Sequence, residues 1–174
     1  TLENFDTVEA DNGSNQLSFV FATGIFTPKF TNPQSSGINT SPLVGKYTRN
    51  EASLYDVFIY KTSSITDASD YVHGKKRFYM DVYTADAPIG SSIIIQLESD
   101  ATTGNDYPIG RHSRYEAFTT TQSTWERLHF IYLDSPDSSM DDIGVTIMTI
   151  FMKPDSLTGH TYYFDNFDSY IDSN

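Results

Sequence analysis

The feature that most constrains this chain is a two-residue alternation that recurs in short runs and breaks each time at a cluster of turn formers. Residues 78–84 place Phe78, Met80 and Val82 on one face and Tyr79, Asp81 and Tyr83 on the other, the pattern of a strand with one side against a core. Residues 92–98 repeat it, with Ile93, Ile95 and Leu97 opposed to Ile94, Gln96 and Glu98. Further strands are expected before the turn at 11–15, within 16–30 with a bend at Gly24, and over 43–48, 54–60, 114–120, 128–133, 143–152 and 161–170. The intervening stretches 31–42 and 101–110 are loops by composition. Residues 61–76 have room for a single helical turn.

About ten short strands without a helical period predict an all-β fold, and a two-sheet antiparallel β-sandwich of jelly-roll type is the expected architecture. An up-and-down barrel is the alternative. The 12 Tyr and 12 Phe agree with this, because aromatic side chains suit a pleated, half-buried surface. With 174 residues and neither repeat nor linker, residues 1–174 are expected to form one domain.

Eleven Lys and Arg against 23 Asp and Glu give a formal net charge of -12, which repels nucleic-acid backbones and anionic membrane faces. No run approaches the ~20 apolar residues of a membrane span, and the first residues show no signal peptide. Cysteine is absent, so neither disulfides nor thiol chemistry contribute.

Motifs for catalysis are missing: there is no HExxH, no Gly-x-Ser-x-Gly and no phosphate-binding loop, and His73, His112, His129 and His160 are not spaced as a metal cluster. If strands 78–84 and 92–98 are neighbours, their polar faces form one surface. Asp81, Glu98 and Glu116 could then meet on it, which keeps a glycan-cleaving enzyme as the alternative to a binding protein. Asp6 lies near the first strand and Asp165 on the last. Terminal strands of a jelly roll often run side by side, and two carboxylates there would favour Ca²⁺ between them over two solvated edge residues.

Residues 107–130, YPIGRHSRYEAFTTTQSTWERLHF, concentrate arginines, histidines, tyrosines and the single tryptophan. Taken with FD near the start, NPQSSGINTSPLVGKY, FYMDVYT, IIIQLES and the closing YYFDNFD, the chain resembles the β-jelly-roll carbohydrate-binding modules of polysaccharide-degrading systems in Bacteroidetes. These resemble the xylan- and β-glucan-binding families.

The resemblance implies a non-catalytic, extracellular or cell-surface glycan binder with a fused or associated glycoside hydrolase. Its ligand is expected to be a β-1,3-glucan such as laminarin, with agar-type galactans or xylan as alternatives. It also implies a structural Ca²⁺ held by Asp6 and Asp165, with Asp at the first position where relatives often carry Glu. Two places for the sugar follow. On a sheet face, Tyr79, Asp81, Tyr83, Gln96, Glu98, Arg114 and Glu116 combine rings that stack on pyranose C–H groups with polar groups that bond vicinal hydroxyls. At the loop edge the candidates are Tyr107, Arg111, His112 and Tyr71. Trp125 is expected to anchor a turn rather than to stack on sugar.

Overall fold

A computed structural model describes Leu2 and residues 17–99 and 106–173. The expected first strand, the 11–15 turn and Asp6 lie outside the described residues. The chain runs β1 (Leu17–Ala22), β2 (Ile25–Thr31), β3 (Leu43–Thr48), β4 (Phe58–Thr62), α1 (Ser69–Val72), β5 (Lys76–Tyr83), β6 (Ser92–Glu98), β7 (Arg111–Phe118), β8 (Glu126–His129), β9 (Ile131–Asp134), β10 (Ile147–Met152) and β11 (Thr161–Ile171). The strands form two antiparallel sheets, β1-β4-β10-β6-β7-β9 and β2-β3-β11-β5-β8. The β-sandwich expected from the alternation is therefore present, and α1 supplies the short helical turn expected within 61–76.

The core lies between the sheets and is built from the apolar half of each alternation. Ile93, Ile95 and Leu97 of β6 and Met148, Ile150 and Met152 of β10 face Phe78, Met80 and Val82 of β5 across the interior, all buried. Aromatic rings fill the two ends. Phe58 packs against Tyr47, Tyr60 and Phe164, while Phe78 packs against Tyr71, Tyr115 and Phe167. In β11 a strict two-residue period would turn Phe167 outward after Phe164. Asn166, at a φ of 48°, carries a register shift between Asp165 and Asp168, and this bulge returns Phe167 to the core.

Gly24 marks a close approach between the β1–β2 turn and β3. A Cβ there would sit 2.3 Å from the Thr48 carbonyl oxygen, and the Gly24 amide donates to the Tyr47 hydroxyl at 3.0 Å. Only glycine fits.

Two sequence expectations are corrected. Strands β5 and β6 are not neighbours: residues 84–91 carry the chain from one sheet to the other, pinned where the Thr84 hydroxyl donates to the Thr161 carbonyl and Gln122 donates to that of Ala87. The segment 128–133, read as one strand, is two. Phe130 is buried at the crossing, with β8 on the edge of the five-stranded sheet and β9 on the edge of the other. A run with apolar residues on both faces reads as one strand, although here each half serves a different sheet.

Candidate functional site

The outer face of the six-stranded sheet carries the polar half of its alternations. Because Ile93, Ile95 and Leu97 point inward, Ile94, Gln96 and Glu98 point away from the core. Pairing sets the neighbours of each: Gln96 lies between Thr149 on β10 and Arg114 on β7, and Glu98 between Ile147 and Arg111. On this face Thr149, Gln96 and Glu98 are only 3%, 5% and 8% exposed. We take this buried polar cluster, on a face turned from the core, as the floor of a candidate groove.

Within the groove Gln96 donates through Nε2 to Glu98 Oε1 at 2.8 Å, and Arg111 Nε stands 3.8 Å from Glu98 Oε2. Arg114 makes a two-pronged contact with Asp134, Nε to Oδ1 at 2.7 Å and a terminal nitrogen to Oδ2 at 2.5 Å. Asp134 thereby raises the Arg114 pKa above its ordinary value, with smaller contributions from Tyr107 and Glu116. Tyr107, 62% exposed on the loop before β7, is thus close enough to be felt by this guanidinium. Glu116 accepts from the Ser92 hydroxyl at 2.5 Å.

One group stands apart. The Thr149 hydroxyl is buried and has no hydrogen-bond partner among the described residues, whereas Met148 and Ile150 on either side are core. A buried hydroxyl left unmatched costs about 1–3 kcal/mol. Thr149 is the cross-strand neighbour of Gln96 on this face.

Of the candidates read from the sequence, Tyr107, Gln96, Glu98, Arg111, Arg114 and Glu116 come together here. The others do not. Tyr79, Asp81 and Tyr83 lie on the outer face of the five-stranded sheet, across the whole core from Gln96. Asp81 is fully buried, held by Arg127 through two contacts at 2.7 and 3.0 Å, and accepts a third bond from Asn166. The Arg127 guanidinium covers the Tyr79 ring at 4.5 Å, and Tyr83 packs against Trp125 and Tyr163. The single surface expected from β5 and β6 is therefore two surfaces on opposite sheets.

The loop-edge set divides as well. His112 is buried on a β7 bulge, linked to the Ser113 hydroxyl at 2.8 Å and to Asp142 at 3.1 Å. Tyr71 is buried and donates to Ser169. Trp125 is buried and donates through Nε1 to Asn32 at 3.0 Å, the anchoring role expected of it.

The trio that would support hydrolysis is not assembled. Asp81 is on the wrong sheet. Glu116 pairs across from Ile94, and Glu98 is four residues further along that strand, so the two backbone positions are roughly 13 Å apart, and Glu116 turns to Ser92 while Glu98 turns to Gln96. Glycoside hydrolysis uses about 5–9.5 Å.

Sequence reading missed Thr149 and Asp134. The period-2 pattern of β10 marks Thr149 as outward, but only the strand order shows that it sits beside Gln96. Asp165 is fully buried and accepts from the Asn39 side chain at 2.9 Å. Among the described residues no group of three or more His, Cys, Asp or Glu is assembled for a metal.

No protein-family model matches the sequence, and no curated protein does. Solved structures do match. A family 30 carbohydrate-binding module superimposes with a TM-score of 0.56 at 11% identity, covering 93% of this chain and 91% of that one. A family 11 carbohydrate-binding module from Clostridium thermocellum, in complex with a β-1,3-1,4-mixed-linked tetrasaccharide, gives 0.54 at 11% identity, covering 91% and 90%. The fold is that of a carbohydrate-binding module. An exo-β-agarase contains it too, with a TM-score of 0.60 and 11% identity over 96% of this chain, and there the module-like fold spans 24% of the enzyme chain. At such identities the likeness is one of fold.

Proposed function

We propose that the protein is a non-catalytic carbohydrate-binding module that takes a polysaccharide along the groove on the six-stranded sheet. The observation that carries this reading is the Thr149 hydroxyl, buried without a partner beside the Gln96–Glu98 pair. A sugar supplies vicinal hydroxyls that both donate and accept, so it can bond Gln96, Glu98, Arg111, Arg114 and Glu116 in turn and, with a small shift of the side chains covering it, satisfy Thr149. Tyr107 offers an exposed ring at the edge for stacking on a pyranose face. Recognition by a largely preformed groove through hydrogen bonds and stacking is enthalpic.

A neutral β-glucan such as laminarin is the first ligand, with agar-type galactans and xylan as alternatives. A family 11 module of the same fold is complexed with a mixed-linked tetrasaccharide, and an exo-β-agarase contains the fold. These likenesses support the class of ligand, and an associated glycoside hydrolase and a secreted or cell-surface setting belong to the same proposal. No helix among the described residues is long and apolar enough to cross a membrane.

A structural Ca²⁺ held by Asp165 and Asp6 belongs to the same reading. Asp165 is a fully buried carboxylate, the hard oxygen donor Ca²⁺ takes, and the ion would tie β11 to the N-terminal segment by neutralising both acids. Affinity electrophoresis through gels containing laminarin, agarose or xylan tests the function. Retardation by at least one polymer is expected, and free migration through all three would refute it.

A further inference from the structure

The groove does not end at β7. Glu116 pairs directly with Ile131 on β9, and both line a cleft of about 530 Å³ that opens where β9 leaves β8. This volume lies within the range of small-molecule sites. Three large apolar side chains line it while exposed to solvent: Phe118 at 53%, Ile131 at 59% and Leu133 at 42%.

Its charged groups are already engaged by the protein. Glu126 accepts from the Thr120 amide and hydroxyl and from the Thr121 amide, and Arg127 is held by Asp81, while Glu116 stands where the cleft meets the groove. What the cleft offers a newcomer is apolar surface, next to a groove that offers polar groups. Edge strands are usually protected by charge, and here Ile131 and Leu133 expose hydrocarbon instead.

We infer that this cleft is a subsite for a sugar unit bearing a small apolar substituent, an O-acetyl group, on a neutral polysaccharide bound in the adjacent groove. The inference rests on the groove being the glycan site. A polar chain crossing from Gln96 past Arg114 reaches Glu116 and then the cleft mouth. An acetyl methyl turned toward Phe118 and Ile131 would displace water from apolar surface, while Glu126 and Arg127 keep the partners they already have. Each methyl so buried is worth about a fourfold gain in affinity.

Affinity gels containing laminarin, agarose or xylan, each beside a lightly O-acetylated preparation of the same polymer, supply the test. For the polymer that retards the protein, acetylation should tighten binding about fourfold. Phe118→Ser should erase that gain while leaving retardation by the unmodified polymer as it was, and Ile131→Ser serves if the first variant does not melt like the parent. Equal binding of the two forms, or a gain that survives both variants, overturns the inference while leaving the groove intact. So does a result in which the variants alter only self-association in gel filtration, which would make the cleft a contact between copies. Failure of every polymer refutes the groove, and the subsite falls with it.

Discussion

Thr149 on β10 and Gln96 on β6 are direct cross-strand partners on the outer face of the sandwich. Gln96 has turned its amide nitrogen to Glu98, and the Thr149 hydroxyl is left unmatched among the described residues. On our proposal this unmatched hydroxyl is a group kept for a ligand. Thr149→Val keeps the shape and removes the hydroxyl. Thermal unfolding should show stability unchanged or raised by about 1 kcal/mol, while polysaccharide retention weakens several-fold. Lower stability with unchanged retention would assign Thr149 to the fold.

The Asp81–Arg127 pair makes the opposite prediction. Asp81 has no exposed surface, whereas two-fifths of the Arg127 side chain is exposed. Arg127→Ala therefore leaves a buried carboxylate without its partner and should cost about 3 kcal/mol, read as a lower denaturation midpoint. Below that midpoint polysaccharide retention should match the parent, because this pair lies across the core from the groove.

Buried phenols set an alkaline limit. Burial raises the pKa of Tyr162 to about 12, and it also raises those of Tyr47 and Tyr115, Tyr47 with help from the Asp56 hydrogen bond. Below pH about 10 these phenols are protonated in both states and their contribution is fully present. Above it the unfolded chain releases protons that the folded chain retains, so stability falls with rising pH and is lost through the folded pKa values. Melting temperatures from pH 8 to 12 should drop steeply beyond about 10, and ultraviolet titration should show the last tyrosines ionising only with unfolding.

For the calcium proposal, chelator should lower the melting temperature of calcium-loaded protein through mass action on the folded state. Added Ca²⁺ should restore it, and Asp165→Asn should lose the response. An identical melt with and without chelator would remove the ion from the account.

The fold was legible because most strands keep their alternation: β5 and β6 display inward and outward residues as the sequence places them. Half of the candidate site was legible. Gln96, Glu98, Arg114 and Glu116 share a face because β6 and β7 are consecutive and pair directly. Asp81 misled, since alternation reports the side of a strand and not what covers it. An Arg on β8 and an Asn on the β11 bulge bury this carboxylate, and both contacts depend on strand order. Thr149 is brought beside Gln96 by β10, which follows β6 by some fifty residues of chain, a pairing that local pattern cannot reveal.

The central claim is that the glycan lies on the six-stranded sheet, and titration calorimetry on matched variants from the two faces measures it most directly. With the polymer that retards the parent most strongly, Gln96→Ala combined with Arg114→Ala should reduce affinity at least tenfold, a loss of about 1.4 kcal/mol, while Tyr79→Ala on the opposite face binds as the parent does. Loss of binding in Tyr79→Ala with full binding in the groove variant would contradict the account and move the site to the five-stranded sheet.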